Sequence, residues 1–104
     1  MDQTTVIKTL RQFKQALESR DIQVEKLILF GSQASGAARE DSDIDVVVIS
    51  PGFADKGYWE RIDILSEAIY QVFAPIEATA FTPEEWKNKR SLLIDYARDG
   101  VLVT

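Results

Sequence analysis

Apolar residues fall along this chain in two patterns, stripes at helical spacing and short continuous runs, and their order sketches an α/β layer structure. Val6, Leu10, Phe13 and Leu17 make one stripe of a helix over Thr4–Ser19, with Thr4 or Thr5 placed to cap it. Val24–Phe30 is an unbroken run of β-branched and aliphatic residues and predicts a buried strand. A short helix over Ser32–Ala38 and a second strand over Ser42–Ser50 follow, closed by the turn signal Pro51-Gly52. Trp59, Ile62, Leu65, Ile69, Val72 and Phe73 stripe a long helix over Tyr58–Phe73, which Pro75 stops. Ile76–Phe81 is the third strand. Thr82 and Pro83 open a short helix over 83–89 as cap and first helical residue. Ser91–Arg98 predicts a last helix closed by Gly100, and Val101–Val103 is a short terminal strand or a docked tail. The expectation is an α/β (α+β) fold, a small mixed sheet of three to four strands flanked by helices. The first two strands are joined by a connection long enough for either orientation.

The chemistry concentrates between the first two strands. One apolar run ends in Gly31-Ser32, and the next opens on Asp43-Ile44-Asp45. Residues two apart on a strand share a face, so Asp43 and Asp45 would point one way and Ile44 into the core. Adjacent carboxylates repel unless a cation lies between them, and magnesium takes hard oxygen ligands, often carboxylates plus substrate phosphates. Gly31 lets a phosphate approach the backbone, and Ser32 brings a hydroxyl and an N–H. The bland alternatives stand beside these. Asp41-Ser42-Asp43 is turn-like, Ser32 suits a helix cap, and Arg39 suits a surface position. Trp59 and Trp86 read as core or partner surface. Glu84-Glu85 and the 87–90 charges read as solvated helix faces.

Composition narrows the options. A length of 104 residues predicts one domain over 1–104. Neither cysteine nor histidine occurs, which excludes disulfides, cysteine zinc sites and imidazole bases. Acid–base work falls to carboxylates, lysine, tyrosine or the substrate. A net charge of −5, from 12 basic and 17 acidic residues, argues against direct duplex nucleic-acid binding. No window is apolar and long enough to span a membrane, and Met1–Thr5 lacks the pattern of a signal peptide, so a cytoplasmic location is expected.

The string GSQASGAAREDSDIDVVV, residues 31–48, resembles the signature of the minimal nucleotidyltransferases, the small-domain branch of the DNA polymerase beta-like nucleotidyltransferase superfamily. Glycine-serine at a strand end and Asp-x-Asp opening the next strand carry the likeness, and the Thr-Pro-Glu-Glu-Trp run at 82–86 adds to it. The resemblance implies magnesium-assisted transfer of a nucleoside monophosphate, AMP from ATP, to a hydroxyl, with two magnesium ions held by Asp43, Asp45 and a third carboxylate. Glu77 matches that third position, where many relatives have aspartate. It reads about as well as a solvent-facing strand residue. Gly31, Ser32 and Arg39 would face the nucleotide. Relatives often have arginine where this chain has Ser35, and Arg39 would substitute for it. The resemblance further implies a HEPN-domain partner, with this chain as the antitoxin of a toxin–antitoxin pair that adenylylates the toxin. Two alternatives are a contact-only binding module with an impaired site and a transferase acting on a small molecule.

Overall fold

The computed structural model describes residues 2–36 and 42–104. Helix α1 (Gln3–Glu18) leads into β1 (Lys26–Phe30), the four-residue α2 (Ser32–Ser35) and β2 (Ile44–Ile49). A 3-10 turn at Pro51–Phe53 leads to α3 (Tyr58–Val72), β3 (Ile76–Phe81), α4 (Pro83–Asn88), α5 (Leu92–Ala97) and β4 (Val101–Leu102). The strands form one mixed sheet in the order β3-β2-β1-β4. β1 runs antiparallel to β2 and to β4, and β2 runs parallel to β3 because α3 carries the chain back across the sheet. The short terminal strand is therefore real, pairing Ile28 with Leu102 and Leu29 with Val101.

The sheet is covered on both faces. Leu27, Leu29, Ile44, Val46, Val48 and Ile76 turn toward α1 and α3, where Val6, Leu10, Phe13 and Leu17 complete the larger core. Ile28, Phe30, Val47, Ile49 and Phe81 turn toward α5, and Ile94, Ala97, Trp86 and Leu93 close the smaller one. From Val46 to Ile49, β2 is thus buried on both sides, which is why those four residues are a continuous aliphatic run. No helix among the described residues is long and apolar enough to cross a membrane.

Several element ends differ from expectation. The cap of α1 is Asp2, whose side chain accepts the Thr5 N–H at 2.7 Å, so neither Thr4 nor Thr5 caps it. α2 stops at Ser35 because Gly36 turns left-handed (φ 78°), and the end of the predicted helix, together with Arg39 and Asp41, lies outside the described residues. Trp59 and Phe73, counted in the α3 stripe, are 72% and 88% exposed. α3 buries a narrow strip around Leu65 and Ala68. Phe73 is its left-handed cap residue (φ 58°), which swings the ring away from the core.

Arg61 ties three elements together. Its guanidinium donates to Glu85 Oε1 at 2.6 Å and to the Phe53 carbonyl at 2.8 Å, and its Nε donates to the Lys56 carbonyl at 3.1 Å. Glu85 also accepts the Thr82 N–H at 2.8 Å, so one carboxylate closes a capping box and anchors α3. Arg61 beside it holds the Glu85 carboxyl below its ordinary 4.5. A lowered carboxylate pKa contributes stability above the unfolded value that is lost as pH falls through the folded one. Arg61→Met is expected to cost about 2 kcal/mol at pH 7 in urea denaturation. The destabilisation from Glu85→Gln is expected to be full at pH 6–8 and to fade once pH drops below 4.5.

Candidate active site

The site is a row that crosses the sheet on its α5-facing side. Strand pairing sets Phe30 opposite Asp45 and Asp45 opposite Glu77. Alternation places Asp45 in line with Val47 and Ile49, on the smaller-core face. It is the one residue of β2 not fully buried. At the end of the sheet the apolar covering stops, and a cleft of about 440 Å³ opens, lined by Phe30, Asp45, Glu77, Ala78, Thr79 and Leu93.

Gly31 follows Phe30 and turns the chain with φ 75° and ψ −156°, a combination open in practice to glycine alone. Its α-carbon lies directly against the Asp45 carboxylate. A β-carbon built there would overlap Asp45 Oδ2 and sit 3.3 Å from its carboxyl carbon. The glycine bend and the Asp45 carboxylate therefore lie side by side. The Gly31 carbonyl accepts the N–H groups of Ala34 and Ser35 at 3.1 and 3.2 Å, which winds α2 immediately after the bend. Four residues are too few for a helix dipole of any weight, so Ser32 contributes only its own hydroxyl and N–H.

The carboxylates are not equivalent. Burial, then a hydrogen bond with Glu77, then the charges of Glu77 and Asp43 raise the Asp45 pKa from its ordinary 3.8. Asp45 and Glu77, set opposite each other by the pairing of β2 with β3, thus form an acidic pair. Asp43 precedes β2, is exposed and acts on Asp45 at longer range. Among the described residues no three carboxylates are gathered as a finished metal-binding set. What the site offers a divalent cation is hard oxygen from the Asp45–Glu77 pair and from nearby Asp43, acidic groups whose mutual repulsion a cation would relieve.

Arg39 lies outside the described residues. Ser35 is exposed, and its hydroxyl donates to the Ser32 carbonyl at 3.2 Å. The sequence reading also missed two supports. Gln33 is buried, and its Nε2 donates to the Ser42 carbonyl at 3.2 Å, bringing the far end of the connection back beside α2 and so placing Asp43. Phe30 forms the apolar wall of the cleft, with the Tyr96 ring edge-on at a centroid distance of 5.7 Å. A glutamine two residues past the bend and a phenylalanine just before it carry no signal of these roles until the strands are paired.

Gly31→Ala is expected to lower stability by about 2–4 kcal/mol in urea denaturation, since the new methyl meets both a forbidden φ and a carboxylate. Asp45→Asn has the opposite sign. A raised aspartate pKa means that the ionised form at pH 7 is disfavoured in the folded chain. The amide removes that charge and donates to Glu77. Thermal unfolding in metal-free buffer at pH 7 is expected to show a gain of about 0.5–2 kcal/mol. The gain should shrink as pH falls through the raised value toward 3.8.

Comparison with known proteins agrees with this geometry. The chain is 32% identical over 83 residues to a candidate protein adenylyltransferase of Methanocaldococcus jannaschii, covering 79% of each chain. A crystal structure of a candidate nucleotidyltransferase from Sulfolobus solfataricus shares the fold at a TM-score of 0.71, with 22% identity over 96% of this chain and 80% of that one. The family model described as a nucleotidyltransferase domain matches residues 10–98, which takes in every strand of the site and both sides of the bend. With most of its length matched, this chain belongs to the nucleotidyltransferase domain family.

Proposed function

We propose that this protein is a magnesium-dependent adenylyltransferase that moves AMP from ATP to a hydroxyl of a partner protein. The observation that carries the reading is the contact of Gly31 with Asp45 in the same row as Glu77. A phosphate-sized approach to the backbone and an acidic pair thereby share one cleft. The name of the archaeal relative supports a protein acceptor. An acidic chain of net charge −5 suits a basic or neutral polypeptide better than a polyanion. On the same grounds, and on the resemblance of its signature, we assign the partner to the HEPN class and this chain to the antitoxin role.

In this mechanism the acceptor oxygen bonds to the α-phosphorus, and the bond to the bridging α–β oxygen breaks. Pyrophosphate leaves with the electron pair of that bond, and the hydroxyl proton passes to a carboxylate. Phosphoryl-type transfer asks mostly for positioning and charge neutralisation. Asp43, Asp45 and Glu77 would hold magnesium, which would supply that neutralisation when bound. Glu77 takes the hydroxyl proton, since its strand sets it beside Asp45 and the chain has no histidine. Gly31 and Ser32 orient the outer phosphates. Phe30 and Leu93 keep the cleft wall apolar, which strengthens each charge interaction inside it.

A second reading has one observation in its favour. Position 35 presents a hydroxyl where the family resemblance expects a guanidinium, and that hydroxyl is turned to the Ser32 carbonyl. A chain without that cation would neutralise its partner by contact alone. One experiment separates the two. Incubation with ATP, magnesium and the protein encoded beside it is expected to give a partner heavier by one AMP in mass spectrometry. Asp45→Ala is expected to lower the rate by about a thousandfold. An unmodified partner that is still neutralised by the Asp43→Ala, Asp45→Ala double variant would establish the contact reading instead.

A further inference from the structure

The sheet has two edges, and they are guarded differently. β4 is two residues long, so that edge presents little to pair with. β3 is six residues long and pairs only on its β2 side among the described residues. The Ile44 N–H donates to the Pro75 carbonyl at 2.8 Å, and the Ser50 N–H donates to the Phe81 carbonyl at 3.0 Å. In a parallel ladder these bonds turn the backbone groups of Glu77, Thr79 and Phe81 toward β2. Those of Ala78 and Ala80 turn outward.

That outward edge is the floor of a groove of about 510 Å³. The consecutive residues Ala78, Thr79, Ala80 and Phe81 form the floor, with Ile62 and Leu65 of α3 on one side and Ser91 and Leu93 on the other. The side walls come from opposite faces of the sheet, so the groove lies beyond the strand and along it. Alanine at both outward positions leaves the backbone open to close approach. Ala78, Thr79 and Leu93 also line the cleft that holds Asp45 and Glu77, so the groove runs into the site.

We propose that the acceptor docks here as an extended polypeptide, pairing with β3 as a fifth strand and delivering its hydroxyl side chain past Thr79 to Glu77. This rests on the adenylyltransferase reading and names how its substrate is held. Backbone donors and acceptors repeating at every second residue match the main chain of an extended peptide. A phosphodiester chain has no such donors and meets a chain of charge −5. A small molecule would use only one end of the groove.

The test uses the full chain, magnesium, radiolabelled ATP and a pool of short random peptides that each hold one serine, threonine or tyrosine. Labelled peptides are expected. N-methylation of alternate backbone amides in a labelled peptide should cut its labelling by about tenfold for each hydrogen bond lost. Methylation of the other alternate set should leave labelling within about twofold. Ala80→Pro removes an outward N–H that the ladder does not use, a change an edge strand accepts. It is expected to abolish peptide labelling while leaving calorimetric binding of ATP with magnesium unchanged. The methylated peptides need no variant, so a misfolded Ala80→Pro leaves the test intact. Equal losses from both methylation sets would overturn the docking mode. So would ATP binding with no peptide labelled, labelling of an RNA oligonucleotide pool in place of peptides, or a wild-type dimer that Ala80→Pro converts to monomer in sedimentation. Failure to bind ATP with magnesium at all would remove the adenylyltransferase reading, and this inference with it.

Discussion

The register of β2 is the constraint on which the rest of this structure depends. β2 is packed by Ile44, Val46 and Val48 on one face and by Val47 and Ile49 on the other. Side chains alternate with a period of two, so a slip of one residue would carry Asp45 into the core beneath α1 and α3. Burying an unpaired carboxylate there is costly, and the slip would also break the aliphatic match on both faces. Hydrophobic packing across a strand with two dry faces thus decides where a charged group emerges. The pairing Phe30–Asp45–Glu77 is a consequence of that packing.

The site bears a cost in stability that its surroundings offset. Asp45 is held among like charges with its pKa raised, and Gly31 is held in a backbone region closed to other residues. Both are strains of the kind that collect where a protein binds a ligand. On the far side of β3, Arg61 draws α3, the 3-10 turn and the start of α4 into one hydrogen-bonded knot. That knot fixes the corner at which β3 ends on Phe81 and Thr82 caps α4. Opposite charge is used where the scaffold must be rigid, and like charge is gathered at the acidic row.

The same strand serves both ends of the proposed chemistry. β3 offers Glu77 to the catalytic row through its face and offers Ala78 and Ala80 outward through its edge. An edge strand that carries a reactive group has a simple means of aligning a polypeptide substrate, because pairing sets the register of the guest as it sets that of the host.

Much of this was legible in the order of residues. Most helices and strands lie where the apolar pattern placed them, and α4 starts at Thr82 and Pro83 as expected, although Glu85, read as part of a solvated face, instead closes the capping box and pairs with Arg61. Short-range signals of this kind depend on neighbours in the chain, so the chain alone carries them. Gly31 and Asp45 were also marked, because a left-handed bend and a pair of acidic groups entering a strand are unusual enough to be noticed locally. What the sequence could not settle were relations across space. It left open whether β1 and β2 run antiparallel, which residue of β3 stands opposite Asp45, and which side chains wall the cleft. Sequence spacing likewise counted Trp59 and Phe73 in the α3 stripe, with Trp59 read as core or partner surface, and the packing of α3 left both exposed. Strand pairing decided these points, because a β-strand is completed only by its partner, and the face a residue shows is settled by what packs against it.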